Sequence, residues 1–232
     1  MIKREYLQKM YHNYFRITHE GKHLELDIER CNFHLWKSND FDWDKYDILL
    51  RGEERIGLFV EVMGKERQIE SGEYINPRIY TEWLDIPVSF IKNKDFRTLS
   101  DLVINYDDSQ EVYEINGKAW EGGSFDPPGA LYVFEHGSFE KVKISFKYLE
   151  QRLFNIKLDG VDEFGNSFEI SDNIPLEVRL KAYNNKATKE DISNFFNRIF
   201  NSDEFNNDWR YEEEDIFFTA TPKELGNVCK HG

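Results

Sequence analysis

What most constrains this chain is apolar residues at every second position on either side of tight turn signals. Phe15 and Ile17 alternate with polar residues before Gly21-Lys22, and Leu24, Leu26 and Ile28 alternate after it. That is the period of a strand with one buried face, not of a helix. Glycine at the first position of a two-residue loop suits a type II′ turn, which sets Phe15 opposite Ile28 and Ile17 opposite Leu26. A one-residue slip would expose the whole apolar set.

The same grammar recurs. Asn32–Trp36, Tyr46–Leu50, Ile56–Met63, Ile79–Leu84 and Val88–Ile91 read as strands, with Pro87 confined to an edge or a strand start. Leu102–Tyr106 reads as a strand or the start of a short helix after Thr98-Leu99-Ser100-Asp101. Asn116-Gly117, the strongest two-residue hairpin signal, follows Val112–Ile115 and sets Tyr113 beside Trp120. Leu131–Phe134 and Val142–Tyr148 flank His136-Gly137-Ser138 as a further hairpin. Phe154, Ile156 and Leu158 alternate, as do Phe168 and Ile170 after Gly165-Asn166. Leu176, Val178 and Leu180 form another strand with Pro175 near its start, and Asp215–Ala220 closes the series.

One helix stands out. Thr188 caps it, Asp191 completes an approximate capping box, and Ile192, Phe195, Phe196, Ile199 and Phe200 fall on one stripe, over residues 188–200. Met1–Met10 is a weaker helical candidate. The expected class is therefore α+β, mainly β: antiparallel sheets with hairpins and one amphipathic C-terminal helix on a sheet face. With 232 residues, 16% of them aromatic, the chain can bury a core without staples. Gly and Pro density in Glu121–Gly129 suggests a join between parts 1–121 and 130–232, or a loop in one continuous domain. No apolar run approaches a membrane span, and the opening Met-Ile-Lys-Arg-Glu-Tyr has no leader-like apolar stretch.

Catalytic motifs do not survive their context. His19-Glu20-Gly21-Lys22-His23 matches H-E-x-x-H, the signature of zinc hydrolases, which requires a helix to aim both imidazoles at one ion. Here the flanks have strand period, and the two histidines are expected on opposite faces. Asp40, Asp42 and Asp44 imitate a calcium loop, yet Lys45 and Arg51 stand where Gly and Glu are needed. Cys31-x-x-His34 and Cys229-x-His231 could supply four zinc ligands but lie nearly a chain length apart. Phosphate-loop, dinucleotide and serine-elbow signatures are absent. Paired carboxylates of a glycosidase kind cannot be singled out, because their separation is spatial. No cofactor is expected, and the two cysteines suit a reducing, cytoplasmic setting.

The charge carries more. Thirty Lys and Arg face 44 Asp and Glu, a net −14. Between 101 and 140 the one basic residue is Lys118, among acids that include Asp107, Asp108, Glu111, Glu114, Glu121 and Asp126, with Trp120 interleaved. After residue 200, Trp209 precedes the run Glu212-Glu213-Glu214-Asp215. Such segments repel nucleic acid and attract a cationic protein, with aromatic rings as anchors. The expected function is a non-enzymatic protein that binds and inhibits a basic partner through these twelve residues. A toxin immunity protein, or a phage-type inhibitor of a nuclease or other nucleic-acid-handling complex, fits this description. A zinc hydrolase using His19, Glu20 and His23, and a structural or ligand-binding β module, are the alternatives.

Overall fold

Alternating apolar residues do build strands throughout. The structure, a computed structural model, describes residues 13–38, 53–82, 84–119, 126–184 and 186–223. Met1–Met10, Tyr46–Leu50, the Asp40–Asp44 triplet, Trp120, Glu121, Cys229 and His231 lie outside them. The first strands are β1 (Tyr14–His19), β2 (Lys22–Leu26), β3 (Ile28–Ser38), β4 (Arg55–Gly64), β5 (Arg67–Gln68), β6 (Tyr74–Ile75), β7 (Arg78–Thr81) and β8 (Asp85–Pro87). Then come β9 (Val103–Asp107), β10 (Val112–Ile115), β11 (Lys118–Ala119), β12 (Gly129–Tyr132), β13 (His136–Glu150), β14 (Leu153–Asp162) and β15 (Ser167–Ala182). After α1 (Lys189–Ile199), the α-helix among the described residues, follow β16 (Phe205–Glu212) and β17 (Asp215–Pro222).

Two long strands organise the rest. One sheet runs β10–β9–β13–β14–β15–β1–β2, and the other β12–β7–β4–β3–β15–β17–β16. β13 also pairs β12, through His136–Ser138, so both β13 and β15 serve both sheets. The ladder β13–β12–β7–β4–β3–β15–β14 consequently returns to β13, a closed ring that leaves its own strands no free edge. Three neighbouring strands of it, β7, β4 and β3, come from before residue 121 and the other four from after residue 128, so both parts of the chain are needed to close it. Every even-numbered residue of β15 from Phe168 to Ala182 is buried inside the ring. Gly160 on β14 is needed for this closure, because a Cβ there would sit 2.2 Å from the Lys141 carbonyl oxygen.

Several expectations change in detail. The first hairpin pairs Phe15 with Leu26 and Ile17 with Leu24, not with Ile28 and Leu26. Its loop is Glu20-Gly21, both at positive φ (51° and 74°), a type I′ geometry whose twist matches the flanking strands. The shift is two residues, so the buried face survives. Val88–Ile91 is not a strand: Val88–Phe90 forms a 3-10 turn directly after Pro87. Leu102–Tyr106 resolves both ways, a 3-10 segment Phe96–Asp101 leading into β9. His136-Gly137-Ser138 is strand, and the turn is the preceding Val133–Glu135. The strands on either side of Pro175 are one strand, which changes partners there: β14 pairs up to Pro175 and β3 begins at Leu176. The β3–β15 pairing is parallel, which the long connection between them permits.

The helix forms as its sequence dictates. The Thr188 hydroxyl accepts from Asp191 N (3.2 Å), and Asp191 Oδ2 accepts from Thr188 N (2.7 Å). Ile192, Phe195, Phe196 and Ile199 are buried, and the Phe196 ring lies 5.2 Å from Phe205 and 5.0 Å from Phe218. Each such side chain contributes roughly 1.5–3 kcal/mol by leaving water. Among the described residues no helix is long and apolar enough to cross a membrane.

Candidate functional site

Each acidic segment contributes a hairpin, β9–β10 and β16–β17, and the two are attached at opposite ends of the ring. Asp107 is level with Lys141 on β13, then Val161 on β14, then Ser167 at the start of β15. Asp215 instead accepts a hydrogen bond from Asn184 N (3.0 Å), just beyond the end of β15. β15, about 50 Å of extended chain, lies between the two levels. The carboxylates do not converge.

Within the β9–β10 hairpin one candidate, Asp107, is engaged in the structure. Asp107 is buried, paired with Lys141 Nζ (2.8 Å), and accepts from Ser109 Oγ (2.7 Å). The Lys141 ammonium, with Ser109, holds its carboxyl below the usual carboxylate range. Asp108 and Glu111 are exposed at the turn and Glu114 is half-buried, while Asp126 is exposed. The Tyr106 hydroxyl donates to Asp108 (3.4 Å). Tyr106 and Tyr113 are core residues, stacked edge to face at 5.4 Å, and burial followed by Asp108 pushes the Tyr106 hydroxyl up to about 12. They cannot anchor a partner. Trp120, expected beside Tyr113, and Glu121 lie outside the described residues.

The β16–β17 hairpin is different. Glu212, Glu213 and Glu214 are exposed at its tip and Asp215 is half-buried. Arg210 Nε reaches Glu212 Oε1 (3.1 Å), leaving Glu213 and Glu214 as the outermost charges. Tyr211 beside them is 55% exposed. Trp209 faces the core side, its ring 4.6 Å from Phe218, with Lys189 Nζ 4.7 Å above it. Among the described residues, this tip is the one place where predicted carboxylates and an exposed aromatic ring coincide. Among the described residues β16 pairs only with β17, and Asn206-Asn207-Asp208 gives it no apolar alternation by which the sequence could reveal a strand.

The H-E-x-x-H residues are on the first hairpin, on opposite faces. His19 Nδ1 donates to Asn166 Oδ1 (2.8 Å), and Asn166 Nδ2 donates to the buried Asp162 (2.8 Å). His23 Nδ1 bonds Thr18 Oγ1 (2.8 Å). Neither ring can share an ion with the other, and no group of three metal-ligating side chains occurs among the described residues. His34, half of the proposed cysteine–histidine pair, stacks on Phe59 at 4.6 Å instead.

An open groove of about 600 Å³ crosses the outer face of β1, β2, β14 and β15. Its carboxylates hold one cation: Arg16 Nε reaches Glu25 (3.0 Å) and Arg16 Nη1 reaches Glu169 (3.6 Å). Tyr14 donates to Glu169 (2.7 Å), and burial together with that carboxylate raises its hydroxyl to about 12. Both carboxylates are engaged with Arg16, and Glu169 with Tyr14 as well. Glu61 is similarly engaged on the outer face of β4, between Arg78, Arg30 and Asn32. No protein-family model, curated protein or solved structure matches this chain.

Proposed function

We propose that this chain is a non-enzymatic acidic protein that binds a basic protein and blocks it in the cytoplasm, in the manner of a toxin immunity protein or a phage-type inhibitor of a nucleic-acid-handling complex. The observation that carries this reading is the β16–β17 tip, where Glu213 and Glu214 project beside the exposed ring of Tyr211. A net charge of −14 steers a cationic surface toward the molecule, and the tip offers a narrow wedge for a cleft shaped for phosphates. The β9–β10 turn, with Asp108 and Glu111, stands too far along β15 to join the same small footprint, and it serves as a secondary region of negative potential.

The test is capture of basic proteins from a lysate of the source organism on the immobilised chain, at low and at high salt. Retention at low salt should fall at least ~10-fold on substituting Glu213→Lys and Glu214→Lys together, with the thermal midpoint unchanged. Retention indifferent to both the substitutions and the salt would refute the reading.

A further inference from the structure

We propose that the free edge of β16 pairs with the same edge of a second copy, so that two molecules join their sheets across a two-fold axis. β16 is eight residues long and pairs on one side only, with β17. Asn206, Asn207, Asp208, Arg210, Tyr211 and Glu212 are all exposed along it, so nothing among the described residues covers that edge. Among the described residues, 206–212 make no backbone hydrogen bond beyond the β17 ladder. An uncovered edge this long, without proline or bulge, is a template for another strand.

The sequence of the edge selects the partner and the register. A two-residue loop closes β16–β17 with Glu212 opposite Asp215, so Arg210 and Asp208 also bond toward β17. The backbone N–H and C=O of Asn207, Trp209 and Tyr211 therefore point outward. Antiparallel self-pairing centred on Asp208 or on Arg210 would set identical charges against each other. Centred on Trp209, it sets Asp208 of each copy opposite Arg210 of the other, twice, and uses the whole of 206–212. The same register places the two Trp209 side chains together and Tyr211 opposite Asn207 of the second copy, covering part of a ring that is 55% exposed in the single molecule. Opposite charges and aromatic rings directly across from each other are the pairs that stabilise a ladder. Such a two-fold contact is self-complementary, as an isologous interface must be. The Glu213 and Glu214 carboxylates lie beyond the paired residues, so the contact leaves them open while covering part of Tyr211.

Sedimentation equilibrium on the full chain tests this. The wild type should show a concentration-dependent dimer. Asp208→Arg and Arg210→Asp should each weaken it about tenfold or more, since each puts like charges opposite one another at two places. Mixing the two variants should restore association, because each edge then meets its complement, and that result also shows that both are folded. A wild type that stays monomeric, single variants that dimerise like the wild type, or a mixture that fails to associate would each overturn the proposal. A monomer whose edge binds an extended Lys-rich peptide instead would overturn it too.

Discussion

His34 sits on the outer face of β3 against Phe59, with Glu177 beside it and Arg179 and Lys181 further along β15. Its Nδ1 is buried without a hydrogen-bond partner. Burial above all, and then the two cations, lower its pKa from 6.5 to about 3. The ring therefore stays neutral in the fold while the unfolded chain takes up a proton near pH 6.5. Stability must fall as pH drops from about 6.5 toward about 3, by at most ~1.4 kcal/mol per pH unit for one proton, and less for a partly exposed ring. Urea midpoints near pH 7 and pH 4 should converge in His34→Phe relative to the wild type; an unchanged gap would show that other groups carry the acid sensitivity. Nothing in Cys31-x-x-His34 announces this, because the cations that face His34 lie about 145 positions away along the chain. Asp107 makes the same point: a carboxylate in an acidic stretch, neutralised by Lys141 across a β-ladder.

Elements were legible wherever a local rule was strong enough to act alone. The α1 cap is such a case, with both halves of the capping box formed. Thr188→Ala should cost about 1 kcal/mol, read as a lower denaturation midpoint, whereas Thr188→Asn should cost little. Equal losses from both would mean that the hydroxyl does something other than cap. Asn116-Gly117 likewise forms its turn, with φ of 52° and 71°. The first hairpin kept its buried face but not its register, since two adjacent loops, Glu20-Gly21 as type I′ and Gly21-Lys22 as type II′, both suit the strand twist and both bury the same face. β16 was missed because an edge strand exposed on nearly every residue has no apolar alternation to read.

At the scale of the whole molecule, the closed ladder through β13 and β15 means that no strand of the ring can be lost without opening its neighbours. The core residues of both sheets form one contiguous cluster. Unfolding should then be a single transition, with near-ultraviolet and far-ultraviolet circular dichroism changing together. Two separated transitions would show that the parts on either side of residues 121–129 fold independently. Ring closure also places the acidic hairpins at opposite ends of β15, so their carboxylates form two separate regions.

By itself the sequence determined most of the strands that carry apolar alternation, where the helix starts, and that the chain carries excess negative charge. Those properties follow from side-chain period, capping chemistry and composition, all of which act within a few residues. Only the tertiary structure decided which carboxylates are free, which aromatic rings are buried, and which edge is left open. Those depend on pairing between strands more than a hundred residues apart, such as β3 with β15, and no local pattern encodes the partner that a strand will find.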